Sequence, residues 1–186
     1  MGTVLDGIDQ DLAERLHAAK VFFVATAPSG SAGHVNVSPK GFDSFRVLGP
    51  HRVAFADMTG SGIETIAHVR DNGRITFMFC AFDGDPSIIR LQGAASVHLP
   101  DDDGFAELAD RFPPVPGLRS IITADLDRVS DSCGFGVPFM SYEGMRGDLI
   151  DWADEQGDDG LAQYRVRKNG TSIDGLPGYP MNRAAR

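Results

Sequence analysis

Cysteine is nearly absent. Cys80 and Cys133 are the only two, with no CxxC pair and no His-rich partner spacing, which excludes a disulfide scaffold and a structural zinc site and makes a reducing cytoplasm the expected home. Basic residues are also in short supply: 17 Lys and Arg face 26 Asp and Glu, a formal net charge of -9. A nucleic-acid groove needs a positive face, so DNA and RNA are not expected partners. No segment approaches the roughly 18 uninterrupted apolar residues of a membrane span. The opening MGTVLDGIDQDL lacks the basic-then-apolar order of a secretory signal, so the chain is expected to be neither exported nor anchored. The five histidines, His17, His34, His51, His68 and His98, are scattered without HExxH spacing, and no GxSxG elbow occurs; a metal centre and a serine hydrolase are both unexpected.

A hydrophobic fraction of 42% with 23% charged residues is that of a globular chain, and 186 residues suffice for one domain with a small appendage. The acidity is uneven. Between His34 and Arg90 the bases Lys40, Arg46, Arg52, Arg70, Arg74 and Arg90 match the acids in number, whereas the excess lies in Asp101–Asp103 and in 151–159. The middle third is therefore free to host an anion.

Asp9 caps a predicted helix over 9–20, in which Leu12, Leu16 and Ala19 recur at helical spacing. Strands are predicted at 21–27, 34–38, 45–48, 51–56, 74–82, 87–99 and 119–130, most of them closed by Pro- and Gly-rich turns. Asp83–Pro86 reads as a hairpin connection, and a bulge near Asp127 accounts for Val129 falling out of phase with Ile122, Ala124 and Leu126. Helices are expected over 102–112, 143–156 and 160–168, with Trp152 as the anchor of the C-terminal helix and an irregular tail from Asn169. Closely spaced, hairpin-like strands with short helices predict a mainly β fold, a small β-barrel with peripheral helices, over a doubly wound sheet.

The stretch DMTGSGIET, 57–65, joins a strand to a helix. Ser61 with Glu64 has the form of a capping box, which places a helix N-terminus there. Unpaired N–H groups, the positive end of the helix dipole, the hydroxyls of Thr59, Ser61 and Thr65, and room for close approach at Gly60 and Gly62 together favour an anion. In VNVSPKG, strand alternation puts Asn36 and Ser38 on one face with Lys40 just past the strand end, within reach of the same anion if the strands adjoin. That set is the composition of a phosphate-monoester pocket. The blander reading is a capped turn beside a solvated lysine.

The order HVNVSPKGFDSFRVL, HRVAFADMTGSGIETIAHVRDNGRITFMF and SIIRLQG resembles the pyridoxamine 5'-phosphate oxidase-like family of FMN-binding split β-barrels, over roughly residues 10–130. The resemblance implies a split barrel in 1–135, with 136–186 as a helical segment and tail packed on it, and a homodimer with FMN, or alternatively a deazaflavin, at the subunit interface. It implies that Lys40 meets the flavin phosphate, that Asp57 and Ser61 contact the cofactor, and that backbone atoms around Val37 lie along the isoalloxazine. Several family positions differ: Val35 stands for an Arg, Gly62-Ile63 for an Arg-Lys pair, and Ile88 for a flavin-contacting Gln. The helix N-terminus and Lys40, with Arg74 or Arg90 as candidate additions, would then have to compensate for the missing phosphate charge. The end, NGTSIDGLPGYPMNRAAR, lacks the Arg-x-His pair of authentic oxidases, so pyridoxamine phosphate oxidation is not implied. The expected function is an FMN-dependent oxidoreductase acting on a small organic substrate, with catalytic residues unassigned; the alternative is a non-catalytic flavin, haem or deazaflavin binder. Cys80 is expected in the core, and Cys133 is expected to be a small buried residue more readily than a reactive thiol at the ring.

Overall fold

The computed structural model describes residues 2–179. Eight strands, β1 (Thr3–Leu5), β2 (Phe22–Thr26), β3 (Asn36–Lys40), β4 (Phe45–Gly49), β5 (Arg52–Met58), β6 (Arg74–Cys80), β7 (Ile88–His98) and β8 (Leu118–Ser132), form one antiparallel sheet. They run in the order β3-β2-β6-β7-β8-β5-β4, and β1 pairs the far end of β8. The predicted strands are present with shifted ends; β1, three residues long, is too short to leave a periodic signal.

The sheet curls around a phenylalanine cluster. Phe22, Phe45, Phe55, Phe77 and Phe79 stand with ring centroids 5.0–6.4 Å apart, mostly edge to face. Alternation delivers them: Phe22, Val24 and Thr26 of β2 and Ile75, Phe77 and Phe79 of β6 are buried while their neighbours are not. Cys80 falls on the other parity and is only half-buried, which corrects its expected place in the core. Cys133, just past β8, is exposed. On β5, Val53 and Phe55 enter the main core, whereas Ala54 and Ala56 pack outward against Phe112 and Ile121. Both faces of that strand are covered, so its burial is nearly continuous.

The bulge expected near Asp127 is present. Gln92 pairs Arg128 and Gly93 pairs Leu126, leaving Asp127 as the extra residue. At Gly93 a Cβ atom would lie 2.0 Å from the Asp125 carbonyl oxygen, so the bulge requires a residue without one.

The helices are α1 (Gln10–Ala18), α2 (Glu64–Asn72), α3 (Phe105–Ala109) and α4 (Asp148–Lys168). Asp9 caps α1 by accepting from the Leu12 N–H at 2.8 Å. The helix expected over 102–112 shrinks to α3, five residues, because Gly104 is left-handed and a run of prolines follows Phe112. Residues 143–147 are irregular, and the two C-terminal helices join across a kink at Gly157 (φ 60, ψ 178). Trp152 braces that kink edge-on to Tyr164, centroids 4.9 Å apart; Ala153 and Leu161 are the residues α4 buries.

Candidate functional site

Cavity and groove form where β3, β5 and the start of α2 meet. Lys40 and Asp57 do converge, but β3 and β5 are not hydrogen-bonded neighbours: they lie toward opposite ends of the sheet order, and the two side chains meet across the split. A cavity of about 250 Å³ opens there. Asn36, Ser38, Lys40, Asp57, Thr59, Gly60, Gly62 and Thr65 all line it. Val37 and Ser61 instead line an adjoining groove with His34 and Ile173.

Arg74 and Arg90 are not at the cavity, and the expectation that they supply phosphate charge is corrected. Arg74 is exposed and donates to Asn72 Oδ1 and to the Pro28 carbonyl, each at 3.3 Å. Arg90 lies on β7 and donates to Ser132 Oγ at 3.0 Å. Both open onto other parts of the sheet because their strands sit away from β3 and β5.

Arg119, which sequence reasoning missed, is the buried cation of the site. Its Nε and Nη2 each stand 2.9 Å from Asp57 Oδ2, and Nη1 donates to the Gly62 carbonyl at 3.0 Å and to Asn169 Oδ1 at 2.9 Å. Ser120 adds a hydrogen bond to the same carboxylate oxygen at 3.1 Å. Lys40 Nζ stands 3.5 Å from Asp57 Oδ1, an ion pair without hydrogen-bond geometry, so Oδ1 has no hydrogen-bond partner among the described residues. Burial alone would push the Asp57 carboxyl up; the Arg119 and Lys40 charges, with the Arg119 and Ser120 hydrogen bonds, outweigh it and hold the group below the usual carboxylate range. The Arg119 guanidinium is consumed by protein partners, whereas Lys40 lines the cavity and its ammonium makes no hydrogen bond among the described residues.

The loop 59–62 is pinned from behind. Besides Arg119, Asn169 Nδ2 donates to the Gly60 carbonyl at 2.9 Å and reaches the Ser61 carbonyl at 3.5 Å. Thr59 Oγ1 donates to the Gly117 carbonyl and accepts from Arg165 Nε at 2.9 Å, so this hydroxyl serves the scaffold and not a ligand. A trans peptide points its N–H opposite to its C=O. With the Gly60 and Ser61 carbonyls turned toward Asn169, the N–H groups of Ser61 and Gly62 face the other way, and neither finds an acceptor among the described residues. A Cβ at Gly60 would meet nothing within 4 Å, so a ligand can approach the backbone there.

The helix end is organised differently from the expected capping box. The N-cap of α2 is Ile63 and no side chain caps it from Ser61. Glu64 turns its carboxylate back instead, accepting from the Ile63 N–H at 2.9 Å and from the Ile173 N–H at 3.3 Å. The chain's own anion occupies the dipole end of α2, and the anion-binding capacity passes to the loop before it.

Behind the cavity, Asn36 Nδ2 donates to Thr26 Oγ1 and Thr65 Oγ1, both at 3.1 Å, and its Oδ1 accepts from Ser38 at 2.9 Å. Thr26 Oγ1 also bonds Nδ1 of the fully buried His68 at 3.0 Å. This chain of bonds ties edge strand β3 to α2. The tail after α4, expected to be irregular, makes a bridge between Thr171 and Pro177 and fastens to β3's entry, where Asp174 accepts from the His34 N–H at 2.8 Å and meets His34 Nδ1 at 2.6 Å. No local pattern announces Asn169 or Asp174: Asn169 reaches Arg119 and Gly60, 50 and 109 positions back, and Asp174 reaches His34, 140 positions back.

Residues 8–133 match the family profile described as pyridoxamine 5'-phosphate oxidase. The chain belongs to the pyridoxamine 5'-phosphate oxidase family. Consistent with this membership, it is 40% identical over 177 residues to the pyridoxamine 5'-phosphate oxidase family protein ustO of Aspergillus flavus, covering 85% of this chain and 70% of the relative. Two solved structures share the split-barrel fold at low identity. A candidate pyridoxamine 5'-phosphate oxidase of Lactobacillus delbrueckii superposes with a TM-score of 0.51 at 18% identity, over 69% of this chain and 98% of the other. HupZ of Group A Streptococcus gives a TM-score of 0.50 at 18% identity, over 66% and 91%.

Proposed function

We propose that this member of the pyridoxamine 5'-phosphate oxidase family binds FMN and acts as an oxidoreductase on a small organic substrate. The observation that carries the reading is the pair of unused N–H groups at Ser61 and Gly62, presented by a loop whose carbonyls are held by Asn169 and Arg119, where Gly62 borders both the cavity that Lys40 lines and the groove that Ser61 lines. The residues fit an ester phosphate. Lys40 supplies charge, Ser61 and Gly62 supply backbone donors, and Thr65, whose hydroxyl accepts from Asn36, has its own proton free for an acceptor in the cavity. Glu64 sets the limit on the other side, since its carboxylate excludes a second anion from the helix axis. The cavity of about 250 Å³ takes a phosphate and part of the ribityl chain but not a tricyclic ring, which leaves the groove beside Val37 for the isoalloxazine. A bound flavin supplies the redox chemistry; the chain's residues bind and orient it.

The same reading includes a homodimer in the cytoplasm. Val35, Val37, Phe135 and Phe139 are between 60% and 85% exposed, apolar surface that a second copy would cover, and both cysteines are free.

Purified protein titrated with FMN should show flavin absorbance that co-elutes with the chain and a quenched flavin fluorescence. Replacing Lys40 with Ala should weaken FMN retention about tenfold, the loss of one charge-assisted contact. A protein that stays colourless at saturating FMN contradicts the reading. Reduction of the bound flavin by a nicotinamide, followed by reoxidation with an acceptor, separates an oxidoreductase from a passive flavin carrier.

A further inference from the structure

A second cavity, of about 620 Å³, lies on the outer face of β5, beside the segment 42–44. It shares Phe42, Ser44, Ala56 and Met58 with the anion cavity, but no residue of the loop 59–62 lines it. Its walls are apolar: Phe42, Met58, the prolines that follow Phe112, and Ile150, with Tyr142 and Met145 at the rim. The volume is within the range of small-molecule sites.

Besides Tyr142, three charged or titratable side chains line it, Asp43, His17 and Lys20. Asp43 is clamped by Arg46 Nη1 at 2.5 Å and Nη2 at 2.7 Å, so its charge is already answered. The His17 ring accepts from the Val47 N–H through Nε2 at 3.2 Å, which leaves the hydrogen on Nδ1. Lys20 is the exception. Its ammonium lies 5.8 Å from the centroid of the Tyr142 ring and has no acidic partner among the described residues. The mouth of the cavity, between it and a larger one of about 1130 Å³ that Lys20 and Tyr142 also line, thus carries one cation without an acidic partner among the described residues, beside an aromatic face.

Phe42 forms the wall common to both cavities, and it is the only residue other than glycine with positive φ (61°) among those described. A bulky side chain held in the left-handed region is strained relative to the extended backbone. Gly41 on one side and Asp43, held by Arg46, on the other fix the turn that places the ring there.

We propose that this cavity is a binding site for an aromatic or branched organic carboxylate, its apolar body against Phe42, Met58 and the proline run and its carboxylate at Lys20. The site stands independently of the flavin reading, because none of the loop donors or Lys40 contributes to it.

Naphthoate and its neutral analogue naphthalenemethanol, titrated into the full chain and followed by amide chemical shifts, test it. The expected result is that both bind with shifts centred on Lys20, Phe42, Met58 and Tyr142, and that naphthoate binds about threefold more tightly at low salt, the scale of one exposed ion pair. Lys20→Met, which keeps the aliphatic stem, should abolish the preference for the acid and leave the alcohol's affinity unchanged. Phe42→Gly should weaken both ligands alike. Shifts centred elsewhere, no binding of either probe, or a preference for the acid that survives Lys20→Met would overturn the proposal; failure to bind in a dimer whose second copy fills the cavity counts as the same refutation. FMN binding, measured on the same samples, reports separately on the other cavity.

Discussion

Asp57 sits between two cations, Arg119 and Lys40, at 1% side-chain exposure, and the site's stability turns on that arrangement. Asp57→Asn keeps the shape but leaves the buried Arg119 without its counter-charge. Breaking a buried pair in this way should cost about 3 kcal/mol, read as a lower urea midpoint at neutral pH. The carboxyl's folded pKa lies below its ordinary 3.8, so its contribution is fully present above that ordinary value and lost as pH falls through the depressed one. The wild type should therefore lose stability on acidification below about pH 4 more steeply than Asp57→Asn. Equal slopes would show that Asp57 is not held ionised by its neighbours. Lys40 was legible in the sequence because it stands at a strand end beside a turn, and Asp57 through the family resemblance. Arg119 was not: it opens a long apolar strand 62 positions from its partner, and only the folded sheet brings the two together.

At the scale of elements, the strand-to-loop-to-helix unit at 57–65 was legible as an anion-binding shape, but by the wrong device. Ser61 and Glu64 have capping-box spacing, yet the helix starts at Glu64 because that carboxylate captures the Ile63 and Ile173 N–H groups. The donors left over belong to the loop, and Asn169 keeps the loop turned. Asn169→Ala, at a fully buried position, should cost about 1–3 kcal/mol through the unpaired Gly60 carbonyl and Arg119 donor, and it should weaken FMN several-fold even at temperatures where the chain is fully folded. An FMN affinity unchanged from wild type would mean that the loop holds its shape without Asn169. The bulge on β8 was readable from the phase slip at Val129, since a period-two pattern cannot shift without an extra residue. Its partner Gly93 tests that geometry. Gly93→Ala places a methyl against the Asp125 carbonyl and should destabilise the β7–β8 pair by about 2 kcal/mol or more, seen as a lowered thermal midpoint.

At the scale of the whole molecule, the strand order was inferred only as a barrel of hairpins. Periodicity assigns strands but not their neighbours, so the separation of β3 from β5 in the sheet, and the meeting of their side chains across the split, had to come from the structure. The family resemblance named the fold that local patterns left open, and residues 8–133 carry it. The tail from Asn169 looked irregular because Gly and Pro dominate it, yet it closes the region between β3 and α2 through Asp174 and Asn169.

The central claim is that Lys40 and the N–H groups of Ser61 and Gly62 hold a phosphate ester. Comparing FMN with riboflavin, which differs only by that phosphate, tests it most directly by calorimetry on the wild type and Lys40→Ala. FMN should bind the wild type on the order of 100-fold more tightly than riboflavin, and the preference should fall to about tenfold in Lys40→Ala, the remainder being held by the Ser61 and Gly62 N–H groups. Equal affinities for the two flavins, or a preference for FMN untouched by the loss of Lys40, would contradict the account.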